Sequence, residues 1–242
     1  MTAQPAPRPL RIDPAALALE PLDLDPAAFQ SALPVQHYAL VFEDARIGLA
    51  VGIWDTTTMQ ESFGPYPGDE YITVLDGSFA ILDGAGNAVE GHAGQSATFR
   101  NAIPVSWKQD GYLRKIYLTL QASSDDAAPI ASAEGGVRVL APDRVPTGRP
   151  GPDGLTREVI FRNDAGTMTV TLCAWQGRTD PPAPCATHRL VRVLRGMITL
   201  SAPSTAPESF APGSHVFLPK GTTCAWTTAP STVAILVDVT AD

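Results

Sequence analysis

A repeat constrains this chain more than any other feature. Glu70, Gly77, Gly94 and Trp107 are matched by Arg189, Gly196, Gly213 and Trp226, each 119 positions further on. Between the first two landmarks lie Tyr-Ile-Thr-Val-Leu-Asp in one copy and Leu-Val-Arg-Val-Leu-Arg in the other. A fixed offset across four landmarks marks an internal duplication, so one architecture has to serve twice.

Each copy reads as short strands parted by turns. Residues 37–44 and 47–55 are apolar runs separated by a charged turn. Tyr71–Leu75 and Ser78–Leu82 flank Asp76-Gly77, a strong hairpin signal. Further strands are expected at 96–100, 105–108 and 113–121, and their counterparts run from 157 to 239. This rhythm, with 23 prolines and 20 glycines, predicts an all-β sandwich or barrel. The expected divisions are an N-terminal arm at 1–34, a first barrel at 35–121, a small polar linker at 122–136 and a second barrel at 137–242. Within the arm, Asp25 is placed to cap a short helical turn that begins at Pro26.

Charge and hydropathy exclude several partners. A net charge of −8 opposes nucleic acid and anionic membranes, which need concentrated positive charge. No apolar run approaches the roughly 18 residues of a membrane span. The first residues lack the apolar core of a signal peptide, so a cytoplasmic location is expected. Three cysteines, Cys173, Cys185 and Cys224, are too few and too uneven for a disulfide framework.

The landmarks resemble the two signature motifs of the cupin superfamily. The first family motif spaces two histidines, a glutamate and a glycine; Glu70 and Gly77 keep its second half. The second motif is intact as Gly-x5-Pro-x-Gly at Gly213, Pro219 and Gly221. The motif-ending Trp107 and Trp226, with Trp54 and Trp175 on the strands before each first motif, are similar to the (S)-ureidoglycine aminohydrolase and ethanolamine-utilisation cupins. The resemblance implies two tandem jelly-roll (double-stranded β-helix) barrels. It also implies a divalent metal held by imidazole and carboxylate groups at a barrel mouth.

This chain departs from that ligand set. The metal-ligand positions fall on Gly64, Tyr66, Glu70 and Val105 in the first copy, and on Ala183, Cys185, Arg189 and Cys224 in the second. Glycine, alanine and valine have no donor, and arginine repels a cation, so no metal or other cofactor is expected. The candidate ligand-binding residues are Tyr66, Glu70, Trp107 and Trp54 in the first barrel. Strand alternation turns the first three inward. Glu70 is the candidate catalytic group, since a carboxyl among aromatics can act as a general acid or base. In the second barrel, Arg189 suits a bidentate carboxylate or phosphate contact, or an ion pair with an acidic group of the other lobe. Cys185 and Cys224 converge near it as a reactive thiol pair whose pKa Arg189 would lower, a thiolate site for a soft metal, a reversible disulfide, or inert small hydrophobes.

The expected function is metal-independent binding of a small organic acid or nitrogen compound, with an anion as one form of the ligand. Two alternatives stay open. One is a metal-dependent enzyme of the ureidoglycine aminohydrolase type, implied by the resemblance alone; the other is a structural bicupin with vestigial sites. A filled interior would favour the last. The half-apolar outer faces at Tyr71, Thr73 and Leu75 suggest sheet-on-sheet packing and a homodimer.

Overall fold

A computed structural model describes residues 6–121, 136–203 and 205–240. The expected linker at 122–136 lies outside them, except for Gly136. The chain forms two compact units, Pro14–Pro142 and Asp143–Asp242, the latter joined by the residues up to Asp13.

In the first unit, a seven-stranded sheet runs in the spatial order Val137–Leu140, Ser96–Phe99, Asp69–Asp76, Leu113–Leu120, Leu49–Thr56, Gln36–Asp44 and Glu20–Pro21. A smaller sheet is built from Met59–Gln60, Pro104–Gln109, Ser78–Leu82 and Ala88–His92, with Gly64–Pro65 paired to Pro104–Gln109. Ile72 and Val74 of the large sheet meet Phe79, Ile81 and Trp107 of the small one in a single core. Alternate residues of each strand supply that core, as expected where two sheets pack face to face.

The second unit repeats the plan. Its six-stranded sheet is ordered Leu10–Ile12, His215–Leu218, His188–Arg195, Thr232–Val239, Met168–Trp175 and Leu155–Arg162. The smaller sheet runs Arg178–Pro184, Thr223–Thr228, Ile198–Ser201 and Glu208–Phe210. Both units are jelly-roll barrels.

The duplication holds strand by strand. Leu49–Thr56, Asp69–Asp76, Ser96–Phe99, Pro104–Gln109 and Leu113–Leu120 recur, displaced by 119, as Met168–Trp175, His188–Arg195, His215–Leu218, Thr223–Thr228 and Thr232–Val239. The irregularities recur too. Pairing passes from Arg114↔Asp76 to Lys115↔Val74, which leaves Leu75 unpaired. In the other barrel, Val193↔Ala234 is followed by Arg195↔Val233, leaving Leu194 unpaired. Such a bulge sharpens the local twist and fixes register. Two residues later, Gly77 (φ 78) and Gly196 (φ 75) turn the chain in the left-handed region. A Cβ on Gly77 would stand 2.1 Å from the Tyr112 carbonyl oxygen, so only glycine fits.

Two expectations are corrected. Val137–Leu140, expected to open the second barrel, instead pairs with Ser96–Phe99 and extends the first. Its Val137 and Leu140 are buried there. The N-terminal arm is divided: Leu10–Ile12 edges His215–Leu218 in the second unit, whereas Glu20–Pro21 edges Gln36–Asp44 in the first. Trp54 and Trp175 lie on the equivalent strands Leu49–Thr56 and Met168–Trp175, as expected, two positions out of step with the offset of 119. The turn at Pro26–Ala28 forms as expected, with the Asp25 carboxylate accepting from the Ala27 amide at 2.9 Å. Among the described residues, no helix is long and apolar enough to cross a membrane.

Candidate functional site

The first barrel holds an open-mouthed cavity of about 390 Å3, and Trp54, Tyr66, Glu70 and Trp107 all line it. Sequence reasoning did not single out two further groups on its wall, Glu61 and Lys115. Lys115 lies directly opposite Trp54 on the neighbouring strand, and cross-strand partners share a face. The bulge at Leu75 sets it opposite Val74, on the face that also carries Ile72 and Glu70.

Lys115 Nζ donates to Glu70 Oε1 at 3.0 Å and to Oε2 at 3.3 Å. Tyr66 Oη donates to Glu70 Oε2 from the other side. The ammonium also lies 4.9 Å from the Trp54 ring centroid and 4.7 Å from that of Trp107. Two indole faces and a carboxylate thus replace the water the ammonium has lost. The indoles are held in turn: Trp107 Nε1 donates to Gln109 at 2.9 Å, and Trp54 Nε1 to Gln36 at 3.2 Å. Burial and the adjacent Glu70 charge push the Tyr66 phenol well above its ordinary pKa, so it remains a donor.

Glu61 is the tuned acid of this cavity. Burial raises its pKa to about 7; the Lys115 charge opposes that rise and the Glu70 charge adds to it. Among the described residues its carboxyl group has no hydrogen-bond partner, although its backbone is tied to Trp107 and Ser106. It exchanges a proton near neutrality and offers both oxygens to whatever enters.

At the equivalent place in the second barrel is a cavity of about 250 Å3. There Arg189 holds the position of Glu70, Asp180 that of Glu61 and Trp226 that of Trp107, while Ala234 replaces Lys115. Arg189 Nε donates to Asp238 Oδ1 at 2.7 Å, across the strand pair Arg189↔Asp238. The acidic partner therefore comes from the same barrel, not from the other lobe. Burial works against the guanidinium charge, yet the Asp238 charge and hydrogen bond keep its pKa above the ordinary value.

Cys185 is part-buried and Cys224 is buried at 2% exposure; neither is in a disulfide. Arg189 pulls the Cys224 thiol pKa down as expected, but it does not set the net shift. Burial, with the neighbouring Cys185, raises it and outweighs the pull of Trp226 and Arg189.

The residues at the family's metal-ligand positions do not fit a metal. Gly64 and Val105 offer no side-chain donor, and the Lys115 ammonium already occupies the Glu70 carboxylate. In the second barrel Arg189 places a fixed cation among Ala183, Cys185 and Cys224. No group of three or more His, Cys, Asp or Glu side chains arranged to hold a metal ion occurs among the described residues.

No protein-family model matches the sequence, and no curated protein matches it significantly. Solved structures do match. A protein of unknown function of the DUF861 family from Pseudomonas syringae pv. tomato superposes with a TM-score of 0.72 at 21% identity, covering 96% of this chain and all of the other. A cupin 2 conserved barrel domain protein from Leptotrichia buccalis gives 0.57 at 14%, covering 88% and 91%. The Streptomyces albus protein HEPD, solved with 2-hydroxyethylphosphonate and Fe(II), gives 0.59 at 9%, covering 97% and 76%. At these identities the likeness establishes the fold. The shared fold is a tandem pair of double-stranded β-helix barrels, the barrel type that the Leptotrichia cupin protein carries.

Proposed function

We propose that the first barrel binds a small organic molecule without a metal ion, in the cavity floored by Tyr66, Glu70 and Lys115. One observation carries this reading: a buried ammonium is fixed where the family places its metal, beside an unpartnered carboxyl group in an aromatic-walled cavity. Pockets of this kind take a compact ligand with a few polar anchors. Lys115 Nζ contacts both Glu70 oxygens, and an ammonium carries three N–H groups, so at least one is left for a ligand oxygen. Deprotonated Glu61 accepts from an N–H. A small organic acid or nitrogen compound offering both, such as a carboxamide or amino acid, satisfies the pair.

A second reading is favoured by Glu61 itself. A carboxyl group tuned to about 7 suits general acid–base transfer on the bound compound, and in that reading Glu61 replaces Glu70 as the acting group. The aminohydrolase-type metalloenzyme has less support, because the donor set does not suit a divalent ion. The cavity argues against a vestigial, filled barrel.

The test is a thermal-shift and NMR screen of small carboxamides, amino acids and carboxylates, run on the wild type, Glu61→Gln and the double variant Glu70→Gln/Lys115→Met. Compounds that stabilise the wild type and fail with both variants support the reading. No hit, or hits unaffected by both changes, overturns it. Stoichiometric divalent metal in protein prepared without tag or chelator overturns its metal-free part.

A further inference from the structure

We infer that the second barrel is a separate binding site for a small carboxylate, captured by the outward end of Arg189. Three observations at the cavity lead there, and none depends on the first barrel.

The first is the state of the guanidinium. Arg189 is anchored through Nε alone, to Asp238, and Asp238 is itself held by Thr187 Oγ1 at 2.5 Å. Among the described residues, the two terminal nitrogens of Arg189 have no hydrogen-bond partner. Arginine presents its terminal N–H groups as a planar fork matched to two carboxylate oxygens. Here the far side of the group is locked while the fork is left open.

The second is the contrast with the neighbouring arginines. Arg157 gives both terminal nitrogens to Asp153, at 3.2 and 2.6 Å. Arg178 gives Nε and one terminal nitrogen to Asp180 and the other to the Asp153 carbonyl oxygen at 3.1 Å. Both are spent on the wall, so they shape the cavity without competing for the ligand.

The third is charge and shape. Three arginines and two aspartates line the cavity and Asp238 sits behind Arg189, so the charges balance and an anion is drawn by the open N–H fork rather than by net charge. Trp175, Trp226, Leu155 and Leu236 supply apolar walls. An anionic head on a flat or apolar body fits both parts. The volume of about 250 Å3 limits that body to a few carbon atoms or one ring. Inorganic phosphate shares the anionic chemistry but leaves the indole walls bare.

Benzoate is the probe, titrated calorimetrically into the full chain at neutral pH beside acetate and phosphate. Benzoate is expected to bind, and to bind more tightly than acetate or phosphate. Arg189→Lys keeps the charge and loses the fork, and affinity is expected to fall about tenfold or more. Arg189→Met/Asp238→Asn removes both members of the pair, leaves no unpaired charge to unfold the barrel, and is expected to abolish binding while circular dichroism stays that of the wild type. Three results would overturn the inference: no benzoate binding by the wild type, binding unchanged in the folded double variant, or binding lost instead in Glu70→Gln/Lys115→Met, which would place it in the first barrel.

Discussion

Lys115 Nζ and Glu70 Oε1 lie 3.0 Å apart with both side chains only 9% exposed, a closed ion pair inside a β-barrel. The pair is diagonal. Glu70 stands opposite Thr119, while Lys115 stands opposite Val74, and the lysine stem reaches along the face to the carboxylate. Removing one partner of such a pair leaves a desolvated charge behind, whereas replacing both does not.

Lys115→Met should therefore destabilise the protein by about 3–5 kcal/mol in urea denaturation. Glu70→Gln/Lys115→Met should recover a large part of that loss. A double-mutant cycle showing no coupling between the two positions would rule out the buried pair.

Glu61 sets a pH dependence of definite sign. The folded protein holds this proton up to about pH 7, whereas an ordinary glutamate releases it near 4.5. Between those values the folded state binds more protons than the unfolded state, so stability from this group is full below pH 4.5 and falls as pH rises through 7. Glu61→Gln removes the fall. Denaturation midpoints at pH 5 and pH 8 should show the variant gaining on the wild type at the higher pH, and a constant difference would contradict the assignment.

The three thiols should react in a fixed order. Cys173 is 1% exposed and its pKa is pushed up to about 12, chiefly by burial; Cys224 is 2% exposed and also raised. Cys185 alone is part-buried. Brief iodoacetamide treatment of the native protein, followed by peptide mass spectrometry, should find label on Cys185 first.

Gly77→Ala should cost more than about 1 kcal/mol, because the new methyl group meets a backbone carbonyl and the residue must stay in the left-handed region. Thermal denaturation measures this. Gly86→Ala is the control for the conformational part, since it has a similar φ of 85 and open space around it.

Much of the frame could be read from the residues. The offset of 119 was visible at four landmarks because glycines with positive φ and a core tryptophan tolerate few replacements. Alternation suffices to turn Glu70 and Trp107 inward, whereas Tyr66 lies between Gly64–Pro65 and Asp69–Asp76 and is held inward by its bond to Glu70. Lys115 is hard to read because its strand looks like an apolar run with charges at its start, and the pairing with Trp54 and Val74 decides which of Arg114 and Lys115 faces the cavity. A lysine in phase with Leu113, Tyr117 and Thr119 was the available signal. Glu61 lies in an irregular stretch where no periodicity applies, so its orientation depends on tertiary contacts such as the Ser106 hydroxyl donating to its carbonyl oxygen at 2.6 Å. Val137–Leu140 has a short apolar pattern that fits an edge in either barrel, and its pairing with Ser96–Phe99 is a choice that distant residues make.

The matched bulges at Leu75 and Leu194 have an evolutionary consequence. Each absorbs one extra residue in the same way, so both barrels aim the same positions inward whatever side chains those positions carry. Acid at 70 pairs with base at 115 in one barrel, and base at 189 pairs with acid at 238, the counterpart of Thr119, in the other, on strands that match position for position. Two pockets under one folding constraint can drift apart by point substitution, each free to acquire a ligand that the other's charge would turn away.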